Sequence, residues 1–231
     1  MPGKVLADIG GRSMLARVVR RARRAGTIDE TRVVTSLAKG DDAVAAEAGR
    51  LEVPCFRGSE EDVLDRYLRA AQESRADVVV RVTADCPLIA PEIIDRTVEV
   101  LIREQPRVDF ASNVVKRTFP RGLDVEVCSY PALDRVWRLA DNPADRAHVF
   151  PYIYRHPADF SIASIAEERV DRSGMRWTVD TADDLEFIRA VYSRFNNDDS
   201  VAWGSVVELL SKEPALAAIN QAVRQKALEE G

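Results

Sequence analysis

The chain has 231 residues, of which 46% are hydrophobic, 31% charged and 6% aromatic, and its formal net charge at pH 7 is −5. A chain of this length buries a sizeable hydrophobic core, and its composition excludes a disulfide-stapled miniprotein, a collagen-like chain and a disordered tail. The mildly acidic charge argues against general nucleic-acid binding, which requires a basic face.

Hydrophobic periodicity predicts alternating helices and strands. In the first half of the chain, it predicts helices over residues 13–25 and 41–51, a helix capped by Ser59 and running to Ala71, and a helix from Pro91 to Ile102. The strands predicted between these helices cover residues 32–36, 53–56 and 77–83, and the last of them is the most apolar. The second half predicts a half-exposed strand over 123–127, strands over 160–165 and 176–179, a helix capped by Thr181 and running to Val191, and two short helices between Trp203 and Leu228, broken near Pro214.

Strands that alternate with helices of this length predict one α/β domain with a mostly parallel sheet covered by helices on both faces. Within the first helix, the apolar residues fall at helical spacing and the arginines lie on the other face, which we expect to be solvated. These arginines are Arg17, Arg20, Arg21 and Arg24.

The three cysteines, Cys55, Cys86 and Cys128, are widely spaced and form no CxxC pair. Their pattern predicts neither a disulfide framework nor a zinc site. The sequence shows no apolar run of about 18 residues and no N-terminal signal core. We therefore expect a cytoplasmic protein without a membrane partner.

Candidate site residues lie where apolar strand runs end, because ligands of open parallel sheets bind beyond the carboxyl ends of the strands. Asp85 follows the strand over 77–83, and a carboxylate there suits Mg²⁺ or caps a turn before Pro87. Asp180 follows the run over 176–179, and the two carboxylates can converge on one metal. Acidic side chains are favourable at a helix N-terminus, and this accounts well for Asp183 and Asp184. It accounts less well for Asp180.

Two other polar segments remain open to two interpretations each. Pro2-Gly3-Lys4 has the composition of a phosphate-binding loop or of an ordinary N-terminal turn. Arg121 can bind an acidic substrate, or it can balance the nearby Asp124 and Glu126.

Six segments in the expected order resemble the cytidylyltransferase family typified by CMP-KDO synthetase and CMP-acylneuraminate synthetase, and within it the branch named for spore coat polysaccharide biosynthesis protein F. The segments are Pro-Gly-Lys-Val-Leu (2–6), Ile-Gly-Gly-Arg-Ser-Met-Leu (9–15), Phe-Arg-Gly-Ser-Glu-Glu-Asp-Val-Leu-Asp-Arg-Tyr (56–67), Arg-Val-Thr-Ala-Asp-Cys-Pro-Leu-Ile (81–89), Phe-Pro-Arg-Gly-Leu-Asp-Val-Glu-Val (119–127) and Trp-Thr-Val-Asp-Thr-Ala-Asp-Asp-Leu (177–185).

The resemblance implies a three-layer α/β/α, Rossmann-like fold of the GT-A type with a mixed, mostly parallel sheet. It implies an enzyme that transfers CMP from CTP to an acidic sugar, with release of pyrophosphate, for the synthesis of polysaccharides or cell-surface glycans. It also implies a nucleotidyltransferase domain over residues 1–195, a helical extension over 196–231 and a homodimer. The strand over 123–128 and the helix after Asn142 are its candidate contact surfaces.

The same resemblance implies the roles of individual residues. Lys4 and Asp85 are expected to be catalytic, and Asp85 and Asp180 to hold Mg²⁺. The residues expected near the nucleotide are Gly3, Lys4, Arg57, Gly58, Ser59 and Thr83, and those expected near the sugar are Asn113, Arg121, Gly122, Asp124 and Glu126.

Two features depart from the family pattern. In the family, a hydrophobic strand and an arginine-containing loop precede Pro-Gly-Lys, whereas only Met1 precedes it here, so we expect a sheet without its first strand and a reading frame that begins upstream. Arg146-Ala147-His148 lacks the glutamate that relatives often place between arginine and histidine. The alternatives are a GT-A glycosyltransferase, although Asp85-Cys86-Pro87 lacks an Asp-x-Asp pair, and a non-catalytic relative.

Overall fold

The structure is a computed structural model, and it describes Met1 and residues 3–225. Its α-helices are α1 (Met14–Ala22), α2 (Asp42–Arg50), α3 (Val63–Ser74), α4 (Pro91–Glu104), α5 (Tyr130–Leu139), α6 (Pro143–His148), α7 (Pro151–Arg155), α8 (Ala182–Arg194), α9 (Trp203–Lys212) and α10 (Pro214–Ala218). Its strands are β1 (Val33–Ser36), β2 (Cys55–Gly58), β3 (Val78–Arg81), β4 (Phe110–Ser112), β5 (Glu126–Ser129) and β6 (Ile162–Ser164).

The described strands form two sheets. Strands β1 and β2 pair in parallel, and a second sheet has the order β3-β5-β4-β6. Strand β5 is antiparallel to both of its neighbours, whereas β4 and β6 are parallel. The mixed α/β fold is confirmed. The expectation of a mostly parallel sheet is not met, because the insertion of β5 makes antiparallel pairings as frequent as parallel ones among these strands.

Helices cover both faces of the larger sheet. Alternate residues of a strand point to opposite faces, so Val80 and Val127 join the core formed with α1, α4 and α8, whereas Val79 and Cys128 join the core formed with α3 and α5. The strand pattern of the sequence thus produces two hydrophobic layers, one on each side of the sheet.

A groove separates the two sheets. Strand β1 pairs only with β2 and β3 only with β5 among the described strands, and a cavity of about 510 Å³, lined by Val34 and residues 78–80 among others, lies between β1 and β3. We call it the β1–β3 groove. It agrees with the expected sheet without its first strand. It also explains why the apolar strand β3 is only half-buried along its length.

The predicted half-exposed strand over 123–127 is wrong. Strand β5 begins at Glu126, lies between β3 and β4, and is buried, as are Leu123 and Val125 before it. The alternating pattern misleads because Glu126 is neutralised by partners inside the protein and does not face water. Residues 123–128 therefore do not form the contact surface that we expected.

Other element boundaries also differ from the prediction. Residues 176–179 form no strand but a single bridge between Arg176 and Arg121. Asp62, and not Ser59, caps α3, because its side chain accepts the hydrogen bond from the backbone N–H of Asp65. The predicted caps that hold are Thr181 at α8 and proline at the start of α4.

The predicted solvated arginine face of α1 is wrong for two of its four members. Arg17 and Arg21 are 0% and 1% exposed, whereas Arg20 and Arg24 are exposed. Both buried guanidinium groups bind backbone carbonyls of distant loops, and Arg17 also binds Asp199. Hydrophobic periodicity does not distinguish such paired arginines from solvated ones.

The C-terminal helices α9 and α10 are separated at Pro214, as predicted. Their residues Val206, Leu210 and Leu216 pack into the same core as α8. The end of the predicted second helix, residues 226–228, lies outside the described residues. No helix within the described part of the chain is both long enough and apolar enough to cross a bilayer.

Candidate active site

Lys4 lies between two carboxylates that come from distant parts of the chain. Its Nζ donates to Asp85 Oδ2 at 2.9 Å and to Asp180 Oδ1 at 2.7 Å. Lys4 begins a short 3₁₀ turn near the N-terminus, Asp85 lies in the loop after β3, and Asp180 immediately precedes the cap of α8. The structure therefore brings these three predicted residues to one point.

Backbone contacts between the two loops explain this convergence. The N–H of Val179 donates to the carbonyl of Asp85 at 2.9 Å, and the Thr178 hydroxyl donates to the same carbonyl at 3.2 Å. The buried Cys86 thiol lies next to Asp85 and contacts the hydroxyl of Thr83. Thr83 thus supports the turn that carries Asp85.

Arg176 and Asp184 position Asp180, and sequence reasoning assigned neither of them to the site. Arg176 donates to Asp180 Oδ2 at 2.7 Å and through its Nε to Asp184 Oδ1 at 2.9 Å. Asp184 also forms a capping box with Thr181 and accepts from the Asp180 N–H at 3.0 Å. The capping pattern was visible in the sequence, but the arginine eight residues before Asp184 gave no local signal.

Burial and charge act in opposite directions on these groups. Partial burial by itself disfavours the charged forms of Lys4 and Asp180. Attraction to carboxylates outweighs burial at Lys4, so Asp85 and then Asp180 raise its pKa above the ordinary value. At Asp180, the hydrogen bonds from Lys4 and then Arg176 outweigh burial and lower its pKa below the ordinary value. Both groups are therefore charged at neutral pH.

The loop that carries Arg121 docks against the same region. The Arg121 N–H donates to the Met175 carbonyl at 2.9 Å, and the Trp177 N–H donates to the Arg121 carbonyl at 2.6 Å. Gly122 has φ +105°, and a Cβ there would lie 2.5 Å from the backbone carbon of Trp177. Glycine is required at this position because the two backbones approach so closely.

The Arg121 guanidinium has no ion pair or side-chain hydrogen bond among the described residues. Its pKa is lowered from its ordinary value, first by partial burial and then by the positive charge of the nearby Arg117. Arg176 and Asp180 are also close enough to influence its charge. This arginine, beside two others, provides a position for an anion.

Asp124 and Asn113 support this loop internally. Arg117 grips Asp124 with both terminal nitrogens, one of them 2.8 Å from Oδ2. The Asn113 amide donates to the Leu123 carbonyl at 2.7 Å and accepts from the Val125 N–H at 2.8 Å. The structure thus shows these two predicted sugar ligands holding the segment that follows Arg121.

Glu126 lies in a buried cluster on β5. Arg81 of β3 and the Tyr154 hydroxyl of α7 both donate to its carboxylate. Burial raises the pKa of Tyr154, and the negative charge of Glu126 raises it further. Glu126 is therefore paired within the protein.

The predicted nucleotide residues after β2 form a separate group. Arg57 donates to the Ser36 carbonyl at 2.9 Å and to Asp42 Oδ1 at 2.8 Å, so it joins β2 to the end of β1 and to the start of α2. The Ser59 hydroxyl accepts from the Asp62 N–H. None of the described contacts joins Arg57, Gly58 or Ser59 to the cluster around Lys4. At the N-terminus, Gly3 adopts φ +67° before Lys4.

The altered Arg146-Ala147-His148 segment contributes to packing through its arginine. Arg146 donates to Asp62 Oδ2 at 2.6 Å and to the carbonyls of Trp137 and Ala140. It therefore connects α6 to the caps of α3 and α5.

The cluster around Lys4 can hold a hard cation. The described residues include no group of three or more histidine, cysteine or acidic side chains arranged to hold a metal. A magnesium site that includes substrate phosphates needs only one or two carboxylates, and Asp85 and Asp180 already converge on one positive group. Their donor atoms therefore fit such a metal.

Comparisons with known proteins identify the family. A family model described as cytidylyltransferase matches residues 1–212. The spore coat polysaccharide biosynthesis protein SpsF of Bacillus subtilis is 30% identical, with 96% of this chain and 93% of that protein covered. The 3-deoxy-manno-octulosonate cytidylyltransferase of Geobacter metallireducens is 30% identical, with 84% of this chain and 93% of that protein covered.

A solved structure agrees with these relatives. The structure of a cytidylyltransferase from Leptospira borgpetersenii is similar to this chain with a TM-score of 0.91 and 30% identity, and the likeness covers 98% of this chain and 93% of that one. The residues matched by the family model, 1–212, include Lys4, Asp85 and Asp180. The chain belongs to the cytidylyltransferase family.

Proposed function

We propose that this protein transfers a cytidylyl group from CTP to a hydroxyl of an acidic sugar and releases pyrophosphate. The observation that carries the proposal is the convergence of Asp85 and Asp180 on Lys4, with the unpaired Arg121 nearby. Membership of the family supports nucleotidyl transfer, and the name of the Geobacter metallireducens relative, a 3-deoxy-manno-octulosonate cytidylyltransferase, supports an acidic sugar as the acceptor class.

In this proposal, the sugar hydroxyl oxygen forms a bond to the α-phosphorus of CTP while the bond to the pyrophosphate oxygen breaks, and the hydroxyl proton is released. Such a step depends mainly on alignment and on neutralisation of charge. Asp85 and Asp180 would hold Mg²⁺, which when bound would supply Lewis-acid stabilisation of the phosphate oxygens. Lys4 contacts the triphosphate, and Arg176 keeps Asp180 ionised and oriented.

Arg121 is assigned to the carboxylate of the sugar. An arginine–carboxylate pair is bidentate and directional. The Arg121 guanidinium has no ion pair among the described residues, whereas the neighbouring Arg117 and Arg176 are paired with carboxylates. Gly122 and the Asn113 clamp hold the backbone of this loop in place. Asp124 and Glu126 are assigned a supporting role on the sugar side. Asp124 holds Arg117 in place, and Glu126 holds Arg81 and Tyr154.

The remaining parts of the proposal follow the family resemblance. We assign Gly3 and Thr83 to the nucleotide site, and Arg57, Gly58 and Ser59 to its outer side. We also propose that the protein acts in the cytoplasm as a homodimer, in polysaccharide biosynthesis of the kind named for the Bacillus subtilis relative. We also propose the division into a nucleotidyltransferase domain over residues 1–195 and a helical extension over 196–231, which rests on the extent of the sequence motifs.

Pyrophosphate release tests the activity. The full chain is incubated with CTP, Mg²⁺ and either 3-deoxy-manno-octulosonate or a neutral hexose, and pyrophosphate is measured with time. We expect release with the acidic sugar that depends on CTP and Mg²⁺. Hydrolysis of a preformed nucleotide sugar without pyrophosphate release would instead support a glycosyltransferase, and CTP binding without turnover on any acidic sugar would support a non-catalytic relative.

Variants in the same assay test the assigned roles. Asp85→Asn should reduce turnover about 100-fold or more, because it removes a metal ligand and its charge. Arg121→Gln should raise the KM for the acidic sugar about tenfold or more and leave the KM for CTP unchanged, because a charge-assisted hydrogen bond contributes about 1.5–3 kcal/mol. Arg107→Gln, at an exposed position, is the matched control. An unchanged KM in the Arg121 variant would contradict its assignment.

A further inference from the structure

The segment that follows α10 reaches back to the loop that carries Asp180. Asn220 lies two residues beyond the end of α10 and is only 4% exposed. Its side-chain amide nitrogen donates to Asp184 Oδ1 at 2.9 Å and to the carbonyl of Arg176 at 3.0 Å. Both acceptors belong to the residues that position Asp180. The C-terminal part of the chain is therefore connected to the candidate active site.

Asn220 constrains Arg176 at two points. A carboxamide nitrogen carries two N–H donors, and here it serves both the Arg176 carbonyl and the Asp184 oxygen that also accepts from Arg176 Nε at 2.9 Å. The end of the guanidinium group, Nη2, donates to Asp180 Oδ2 at 2.7 Å. The side chain of Arg176 is thus held from its backbone to its end, which fixes its direction toward Asp180.

This constraint matters because Asp180 is the more exposed carboxylate of the site. Its side chain is 41% exposed, compared with 24% for that of Asp85. An exposed ion pair contributes little when long side chains must be ordered to form it. An arginine that is already ordered keeps its contact with Asp180 Oδ2 without that loss of freedom, while Oδ1 accepts from Lys4. Asp180 therefore presents one defined oxygen to the point where it meets Asp85.

Packing of the two C-terminal helices determines where Asn220 lies. Leu210 of α9 and Leu216 of α10 are buried in the core that includes Phe187 of α8. Helix α10 contacts both α8 and α9. Because this apolar packing already attaches α9 and α10 to the rest of the molecule, the two hydrogen bonds of Asn220 to the region around Asp180 point to a role in the site.

We infer that Asn220 is a positioning residue of the active site. It holds the Arg176 guanidinium in place, and Arg176 in turn keeps Asp180 Oδ1 directed at its meeting point with Asp85. The C-terminal helices thus contribute to the site through this side chain. The effect of Asn220 on metal binding rests on the proposed function, whereas its hold on Arg176 does not.

Hydrogen exchange of the Arg176 Nε–H group tests the hold on this arginine. It is followed by NMR in the full chain without ligands, and the Arg176→Lys variant assigns the signal. Asn220→Ala should speed this exchange about tenfold or more, because it removes the two hydrogen bonds that constrain the arginine. Asn220→Ser keeps one donor and should speed the exchange by a smaller factor, and it takes the place of Asn220→Ala if the latter does not fold.

A matched control separates this effect from a general loss of stability. Leu216→Ala removes a buried side chain of α10, and it should change the exchange of the Arg176 Nε–H group less than about twofold. Urea unfolding of all variants records their stability. Unchanged exchange in the Asn220 variants, or equal acceleration in Leu216→Ala, would overturn the inference.

Binding of Mn²⁺ in the presence of CTP provides the second measurement. The full chain, CTP and Mn²⁺ are mixed without a sugar, so that no transfer occurs, and free Mn²⁺ is measured by electron paramagnetic resonance. Asn220→Ala should weaken Mn²⁺ binding about tenfold, because residues that orient metal ligands typically contribute this much to affinity. Leu216→Ala should leave the affinity unchanged. Equal affinities of Asn220→Ala and the unmodified chain would overturn the inference.

Asp180→Asn distinguishes a failure of this inference from a failure of the proposed function. We expect the unmodified chain to bind Mn²⁺ with CTP and Asp180→Asn to lose this binding. Binding that is absent, or that Asp180→Asn leaves unchanged, would contradict the proposed metal site. The exchange of the Arg176 Nε–H group would then by itself confirm or overturn the hold of Asn220 on this arginine.

Discussion

Asp184 is the buried carboxylate on which the arrangement of the site depends. It is 0% exposed, and its oxygens accept from Arg176, from Asn220 at 2.9 Å and from the backbone N–H groups of Asp180 and Thr181. Burial by itself would raise its pKa, but these donors outweigh burial, and the pKa lies below its ordinary value. One residue thus caps α8 and fixes Asp180.

Asp184→Asn should destabilise the protein by about 3 kcal/mol at pH 7, because it leaves Arg176 without its buried partner. Asp183→Asn, at an exposed position in the same first turn, is the matched control and should change stability by less than about 0.5 kcal/mol. Urea unfolding of the two variants and the unmodified chain measures the difference. Equal loss in both variants would contradict the role given to Asp184.

The same pair of proteins gives a pH dependence. Because the pKa of Asp184 is lower in the folded state than in the unfolded state, its contribution is complete above its unfolded pKa of about 3.9 and is lost as pH falls through the folded pKa. The stability difference between the unmodified chain and Asp184→Asn should therefore decrease below about pH 4. A difference that grows in acid would contradict this sign.

At the scale of elements, helix α1 fastens the N-terminal region to the loop after α8. Arg17 donates to the carbonyls of Ile9 at 2.6 Å and Asn197 at 2.7 Å and to Asp199 at 2.8 Å. Arg20 also binds Asp199, at 2.7 Å, but its side chain is 51% exposed. Two arginines on one helix therefore share one acidic partner in different environments.

Arg17→Met should cost about 3 kcal/mol or more, since it leaves buried carbonyls without donors. Arg20→Met is the matched control and should cost less than about 1 kcal/mol, because exposed ion pairs contribute little. Thermal and urea unfolding of the two variants measures both values. Similar costs for the two substitutions would show that the shared Asp199 contact, and not burial, determines the contribution of these arginines.

At the scale of the whole molecule, the two sheets that the β1–β3 groove separates differ in the buried core and strand pairing that stabilise them. The region of β1 and β2 has a small core of its own, whose buried members are Leu15, Val19, Val33, Ala48 and Val53. Strand β5 lies inside the larger sheet, with a core on each face. Local stability follows buried contact and backbone pairing, so the two regions differ.

We expect the amides of β1 and β2 to exchange through openings of lower free energy than those of Val127 and Cys128 on β5. Both β5 residues are 0% exposed, and their amides should exchange only through global unfolding. Native-state hydrogen exchange at increasing denaturant concentration measures these free energies. A single free energy for both sheets would contradict the unequal support and indicate one cooperative unit.

The sequence by itself determined the features that depend on neighbouring residues and on repeated spacing. It predicted the α/β order, the cap of α8 at Thr181 and the position of Asp85 after an apolar strand. These predictions succeed because capping bonds form within one turn and because side-chain period distinguishes helix from strand. The family resemblance added the role that we propose for Lys4, which three residues could not supply by spacing alone.

Only the tertiary structure decided which charged residues are paired inside the protein and with what. The sequence placed Arg17 on a solvated face and Glu126 on a half-exposed strand, and it gave no role to Arg176. Their partners are distant in the chain, and hydrophobic periodicity does not predict ion pairs. Arg17 binds Asp199, and Glu126 binds Arg81 and Tyr154. Burying a charge is unfavourable unless a partner compensates it, so its environment is settled only when folding brings that partner into contact.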